Sequence, residues 1–116
     1  MTFQNRDDLH VDAVHIEGLF DALDQLVTHD ADKPIKAIVG IGRCAWSAYA
    51  DGVDGSSLQA LVTESEKLEA FVEGAELVVC ERHTSTTTRG IYSLAVMLNR
   101  LVKEHAAGVA EFAGAA

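Results

Sequence analysis

Ile16, Leu19, Phe20, Leu23, Leu26 and Val27 return at spacings of three and four. That is the stripe of an amphipathic helix, and it recurs three more times along the chain. Ile35, Ile38, Val39, Gly42, Ala45, Trp46 and Tyr49 form the second stripe. Leu58, Leu61, Val62, Leu68, Val72, Ala75 and Val79 form the third, and Ile91, Leu94, Ala95, Leu98, Leu101 and Val102 the fourth. Four such segments in 116 residues leave space for one domain. The expected fold class is all-α, a compact bundle of about four helices. The competing architecture is α+β. IKAIVGI and AELVVCE are rich in β-branched residues, and a hairpin around residues 75–95 would place HTSTTT in its loop.

End signals set the expected boundaries. Asp12 reads as an N-cap, with Val11 and Ile16 placed as a hydrophobic staple, so residues 1–11 are expected to be an irregular N-terminal segment. Pro34 fits the first turn of the second helix. That helix is apolar on nearly all sides, which suggests a central, buried position. DGVDG ends it, and Ser56 with Gln59 reads as a capping box for the third. The helical domain is expected over residues 12–106, with a flexible C-terminal tail at 107–116.

KAIVGIGRCAWSAYADG contains G-x-G-x-x-A, with Gly40, Gly42 and Ala45 in the small positions. A dinucleotide turn needs a strand before it, a full helix after it, and a second strand ending in an acid. Here a helical stripe precedes the motif and a turn follows within a few residues. Small residues that let helices approach explain the run better, and no cofactor is expected. Trp46 and Tyr49 on that helix are expected in the core.

The net charge is −9. Residues 1–81 hold 16 acids and 5 bases, while residues 82–116 hold 2 acids and 4 bases. Such a chain repels nucleic acid and anionic membranes and attracts basic surfaces. Two stripes concentrate the charge: Glu17, Asp21 and Asp24 on the first helix, and Glu66, Glu69, Glu73 and Glu76 on the third. They share one surface only if those helices are neighbours. Arg82 and Arg89 flank a hydroxyl-rich run, RHTSTTTRG, which a partner or an anion could engage.

Other chemistry is thinly supported. Ser85 beside His83 has no third group to orient a base. No Glu-x-x-His or Cys-x-x-Cys spacing supports a metal site. His10, His15, His29, His83 and His105 read as surface histidines. Cys44 and Cys80 read as buried free thiols of a reducing compartment. The polar start and the lack of a long apolar run suggest neither a signal peptide nor a membrane span, hence a cytoplasmic protein.

The expected function is non-catalytic. It is an inhibitor or immunity-type module whose acidic helix face occludes a basic protein partner sterically and electrostatically; imitation of a phosphate track is the special case in which that partner binds nucleic acid. Direct nucleic-acid binding is not expected. The alternatives are a homo-oligomeric structural or regulatory protein, with a homodimer as its simplest form, and a small-ligand-binding bundle.

Overall fold

A computed structural model describes residues 3–30, 33–82 and 86–115, with side chains described except at 29–30, 82 and 86–89. The chain is an all-α four-helix bundle: α1 (Arg6–Asp30), α2 (Lys33–Gly52), α3 (Leu58–Arg82) and α4 (Thr86–Ala115). No strand occurs among the described residues, and the segments that resembled strands lie inside α2 and α3. The helices form a ring: α1 packs on α2 and α4, and α3 packs on α2 and α4. No backbone contact joins the diagonal pairs α1–α3 and α2–α4. The bundle is elongated, 46 × 19 × 18 Å, as expected for helices of this length lying side by side.

Each helix buries most of its stripe, although Leu26 and Ala45 are exposed, and the core runs the full length of the bundle. Leu9, Ala13, Ile16, Phe20, Leu23 and Val27 line it from α1. Ile91, Leu98, Val102 and Val109 line it from α4. Trp46 is fully buried and Tyr49 nearly so, as expected of core aromatics.

The two ends correct the sequence expectation. Residues 6–11 are helical, so Asp12 sits inside α1 and caps nothing. The cap lies further upstream. Asn5 Oδ1 accepts the Asp8 N–H at 2.9 Å, and Asp8 Oδ2 accepts the Gln4 N–H at 2.9 Å. Arg6 then donates to the Val53 and Ser56 carbonyls, at 2.8 and 2.7 Å, in the α2–α3 connection. At the other end, residues 107–115 continue α4, with Val109 fully buried. The two termini hold each other: a Cβ on Gly108 would lie 2.5 Å from the Phe3 ring, so the missing side chain is the space Phe3 occupies.

The connection between α2 and α3 also differs in detail. Ser57, not Ser56, caps α3, its Oγ accepting the Ala60 N–H at 3.1 Å. Nor is α2 central: in a ring of four it buries one side only. Ala37, Ile41, Cys44, Ala45 and Ala48 are exposed, Ile41 at 59%. Neither cysteine is in a disulfide, and both are exposed rather than buried. Of the small residues in this helix, Gly42 is the one that brings neighbours close. A Cβ there would meet Phe71 at 3.0 Å and Phe20 at 3.2 Å, whereas Gly40 faces open space.

That contrast yields a prediction. Gly40→Ala should stabilise the fold by roughly 0.5–1 kcal/mol, since alanine costs less than glycine in a helix. Gly42→Ala should destabilise it by about 1–3 kcal/mol, because two aromatic rings from two helices must give way. Urea midpoints of the two variants, compared with wild type, would check the opposite signs.

Candidate functional site

Two places in the bundle concentrate polar chemistry or open space, and they meet at Tyr49. The first is buried. Tyr49 Oη lies 2.6 Å from His105 Nε2, and His105 Nδ1 lies 2.7 Å from Asp12 Oδ2. The chain therefore runs from α2 through α4 to α1. Its central ring is 1% exposed, a position the surface reading of the histidines missed. Aromatic rings enclose it: Phe3, Trp46 and Tyr49 have centroids 5.3–5.4 Å from the imidazole. Trp46 adds a tie of its own, donating Nε1–H to the Ala13 carbonyl at 2.8 Å.

The donor and acceptor inventory assigns the protons. Burial, and then the charge of Asp12, push the Tyr49 phenol well above its ordinary value, so it stays protonated. Its O–H donates to His105 Nε2, and the Nδ1–H donates to the Asp12 carboxylate. The order Asp–His–hydroxyl has the connectivity of an activated nucleophile. The phenol is shifted the opposite way, however, towards a tighter hold on its proton. This geometry locks three helices together.

The second place is an open groove between α2 and α3, with a volume of about 480 Å³. Its walls are small: Ala45, Ala48 and Gly52 on α2, and Ala60 on α3. These side chains are too short to fill the seam. Tyr49, Leu61, Leu68 and Phe71 also line it, and Glu64 and Lys67, paired with each other at 3.4 Å, supply polar lining.

The acidic stripes fall elsewhere, and apart. Because α1 and α3 are diagonal, their carboxylates do not share one surface. Asp21 and Asp24 bracket Arg43 of α2, each at 3.3 Å, placing that stripe at the α1–α2 seam. Glu73 pairs with Lys103 of α4 at 2.8 Å, and Glu76 accepts from Asn99 at 3.1 Å, placing the other at the α3–α4 seam. The Glu73 pairing, with Glu69 and Glu76 adding to the field, raises the Lys103 pKa and keeps it charged. Glu17 is partly exposed, Glu66 exposed and Glu69 partly exposed. Arg82 and Arg89 lie outside the residues whose side chains are described. Among the described residues no group of three or more His, Cys, Asp or Glu gathers as metal ligands, and no helix is long and apolar enough to cross a membrane. Gly40, Gly42 and Ala45 lie within one continuous helix, which is not the strand–turn–helix of a dinucleotide site.

Comparison with protein-family models, with curated proteins and with solved structures gives no match. The groove and the buried chain were not visible in the sequence as units. The signal for the groove was the exposure-neutral run of alanines on α2. The signal for the chain was a histidine interrupting the apolar stripe of α4.

The buried chain carries a stability prediction. Tyr49→Phe leaves His105 Nε2 without a donor and should cost about 1–3 kcal/mol near neutral pH. The folded phenol value lies above the unfolded one, near 10. The Tyr49 contribution is therefore complete below about pH 10 and declines as the unfolded state begins to ionise above it. Tyr92, raised mainly by its hydrogen bond with Cys80, acts in the same direction in both proteins. Urea titrations on either side of about pH 10 should show a shallower alkaline loss for Tyr49→Phe than for wild type.

Proposed function

We propose that this chain is a non-catalytic protein-binding module that engages a basic partner and blocks or regulates it. The observation that carries the reading is the distribution of charge over the bundle. Of the two acidic stripes, the one on α3 is the less neutralised. Among the described residues Lys103 pairs with Glu73, while Glu66 and Glu69 make no ion pair. The helix as a whole holds six carboxylates and two bases. A net charge of −9 on so slender a body surrounds it with a negative field, which steers basic surfaces in and turns nucleic acid and anionic lipid away.

An inhibitor or immunity-type role follows from that chemistry. Carboxylates speed the encounter and pair with Lys and Arg of the partner, while apolar surface nearby supplies burial. The separation of the stripes changes one element of the expected mechanism: α3 acts alone, without a seven-carboxylate face, and the phosphate-mimicking track shortens to one helix. A cytoplasmic location belongs to the same proposal.

Tagged protein exposed to a bacterial lysate should retain a basic protein at low salt and release it at about 0.5 M salt, where screening shortens the field to a few ångströms. The charge-reversed variant Glu66→Lys with Glu69→Lys should retain it at least ~10-fold less well, as expected if electrostatic steering dominates. Retention that survives both high salt and charge reversal would sink the reading.

A further inference from the structure

We propose that the face shared by α2 and α3 is the contact surface of a two-fold symmetric homodimer. The proposal goes beyond the charge reading and does not rest on it.

The face is marked by the charge it lacks. On α2, Ala37, Ile41, Ala45 and Ala48 follow one side of the helix at spacings of three and four, and all four are exposed. Arg43 is turned towards α1, where Asp21 and Asp24 hold it, and Lys36, seven residues earlier, stands on that same side. On α3, Ala70 and Gly74 are exposed and continue the side that Lys67 marks in the groove. Glu73 and Glu76 are turned to α4, where they meet Lys103 and Asn99. Glu66 and Glu69, seven residues before them, stand on that same side. Lys33 and Glu81 belong to terminal turns at one end of the bundle. Between the terminal turns, the charged groups on this face are therefore Glu64 and Lys67, which pair at 3.4 Å and cancel. A chain of net charge −9 thus has one neutral flank, where two copies can meet with their other carboxylates turned away.

The same flank carries a projection and a hollow, as a self-complementary contact requires. The projection is Ile41, 59% exposed. The hollow is the 480 Å³ groove, whose walls at Ala45, Ala48, Gly52 and Ala60 are too short to fill it. Ile41 lies seven residues before Ala48, about 10 Å along the helix. Gly52 and Ser56 lie on the other side of Ala48 and adjoin, since a Cβ on Gly52 would stand 3.4 Å from the Ser56 hydroxyl. A two-fold axis crossing the face at Ala48 runs the two α2 helices antiparallel. It brings Ile41 of each copy to the Gly52–Ser56 end of the other's groove. Glu64 and Lys67 line the groove beside Ala48. The axis sets them against the same two residues in reverse order, so each carboxylate meets the other copy's ammonium. A basic segment finds no net charge to select it on this flank. A second copy finds an apolar wall, a matching hollow and a complementary ion pair.

Sedimentation equilibrium of the full chain, at rising concentration and two salt levels, tests the proposal. Wild type should form dimers that tighten at about 0.5 M salt, because salt screens the repulsion between two bodies of like charge. Retention of a basic partner changes with salt in the opposite direction, so the two readings fail separately. Ile41→Glu and Ala48→Glu alter exposed positions, and each should weaken the dimer at least ~10-fold by burying an unpaired carboxylate. Unfolding curves would confirm that both variants fold. Glu64→Lys and Lys67→Glu each oppose like charges and should dimerise roughly 3-fold less well alone. Mixed in equal amounts, they should pair with each other about as well as wild type does with itself, since two lysines then face two glutamates. A wild type that stays monomeric up to about 1 mM would overturn the proposal. So would a dimer indifferent to Ile41→Glu and Ala48→Glu, which must lie on another face. A mixture no more dimeric than its parts would overturn the antiparallel arrangement, and the proposal with it.

Discussion

The hydrogen-bonded chain Tyr49–His105–Asp12 does what backbone packing cannot do in this bundle. The ring of helices leaves α2 and α4 on a diagonal, out of backbone contact, and the 2.6 Å hydrogen bond between Tyr49 and His105 crosses it, beside the Trp46–His105 ring contact. The same imidazole reaches α1 through Asp12 at 2.7 Å. An apolar stripe tolerates sliding by a turn, since leucine packs on leucine in more than one register. A buried chain of donors and acceptors does not, because any slip leaves polar groups unpaired in a medium without water. Phe3, Trp46 and Tyr49 surround the ring and keep water out, and Gly108 makes the space in which Phe3 sits. The joining of α1, α2 and α4 here thus depends on one histidine and its two partners.

The α2–α3 seam shows the converse. There the residues are alanine and glycine, and the helices leave an opening that their own side chains do not close. Tyr49 belongs to both regions: its hydroxyl is committed to the core and its ring lines the groove. The rigid network therefore fixes one side of the opening. A preformed apolar surface needs less ordering when a partner arrives, which favours affinity.

Much of this architecture was legible from period alone. The stripe positions Ile16, Phe20, Leu23 and Val27 are buried as their spacing demands, and the same holds for Trp46 and Tyr49. What periodicity could not show was where helices begin and which ones touch. Asp12 has the chemistry of a cap, yet Leu9 and Ala13 carry the stripe past it, and the tie from Arg6 to the α2–α3 connection is visible only in three dimensions. His105 reads as a polar interruption until its two partners, 56 and 93 residues away in the chain, are placed beside it. The residues of the acidic stripes are partly or fully exposed. That they occupy different seams follows from ring order, which composition does not encode. For α2, an all-round apolar pattern suggested burial, but the alanines on its outer side form an open wall.

The most direct test of this account is the protonation pattern of the His105 ring, read from long-range proton–nitrogen correlations at neutral pH. The account predicts a proton fixed on Nδ1, a bare Nε2, and slow exchange of both the ring proton and the Tyr49 hydroxyl with water. A proton on Nε2 instead, or a ring whose protons exchange as fast as those of an exposed histidine, would contradict the claim that this chain sets the register of the bundle.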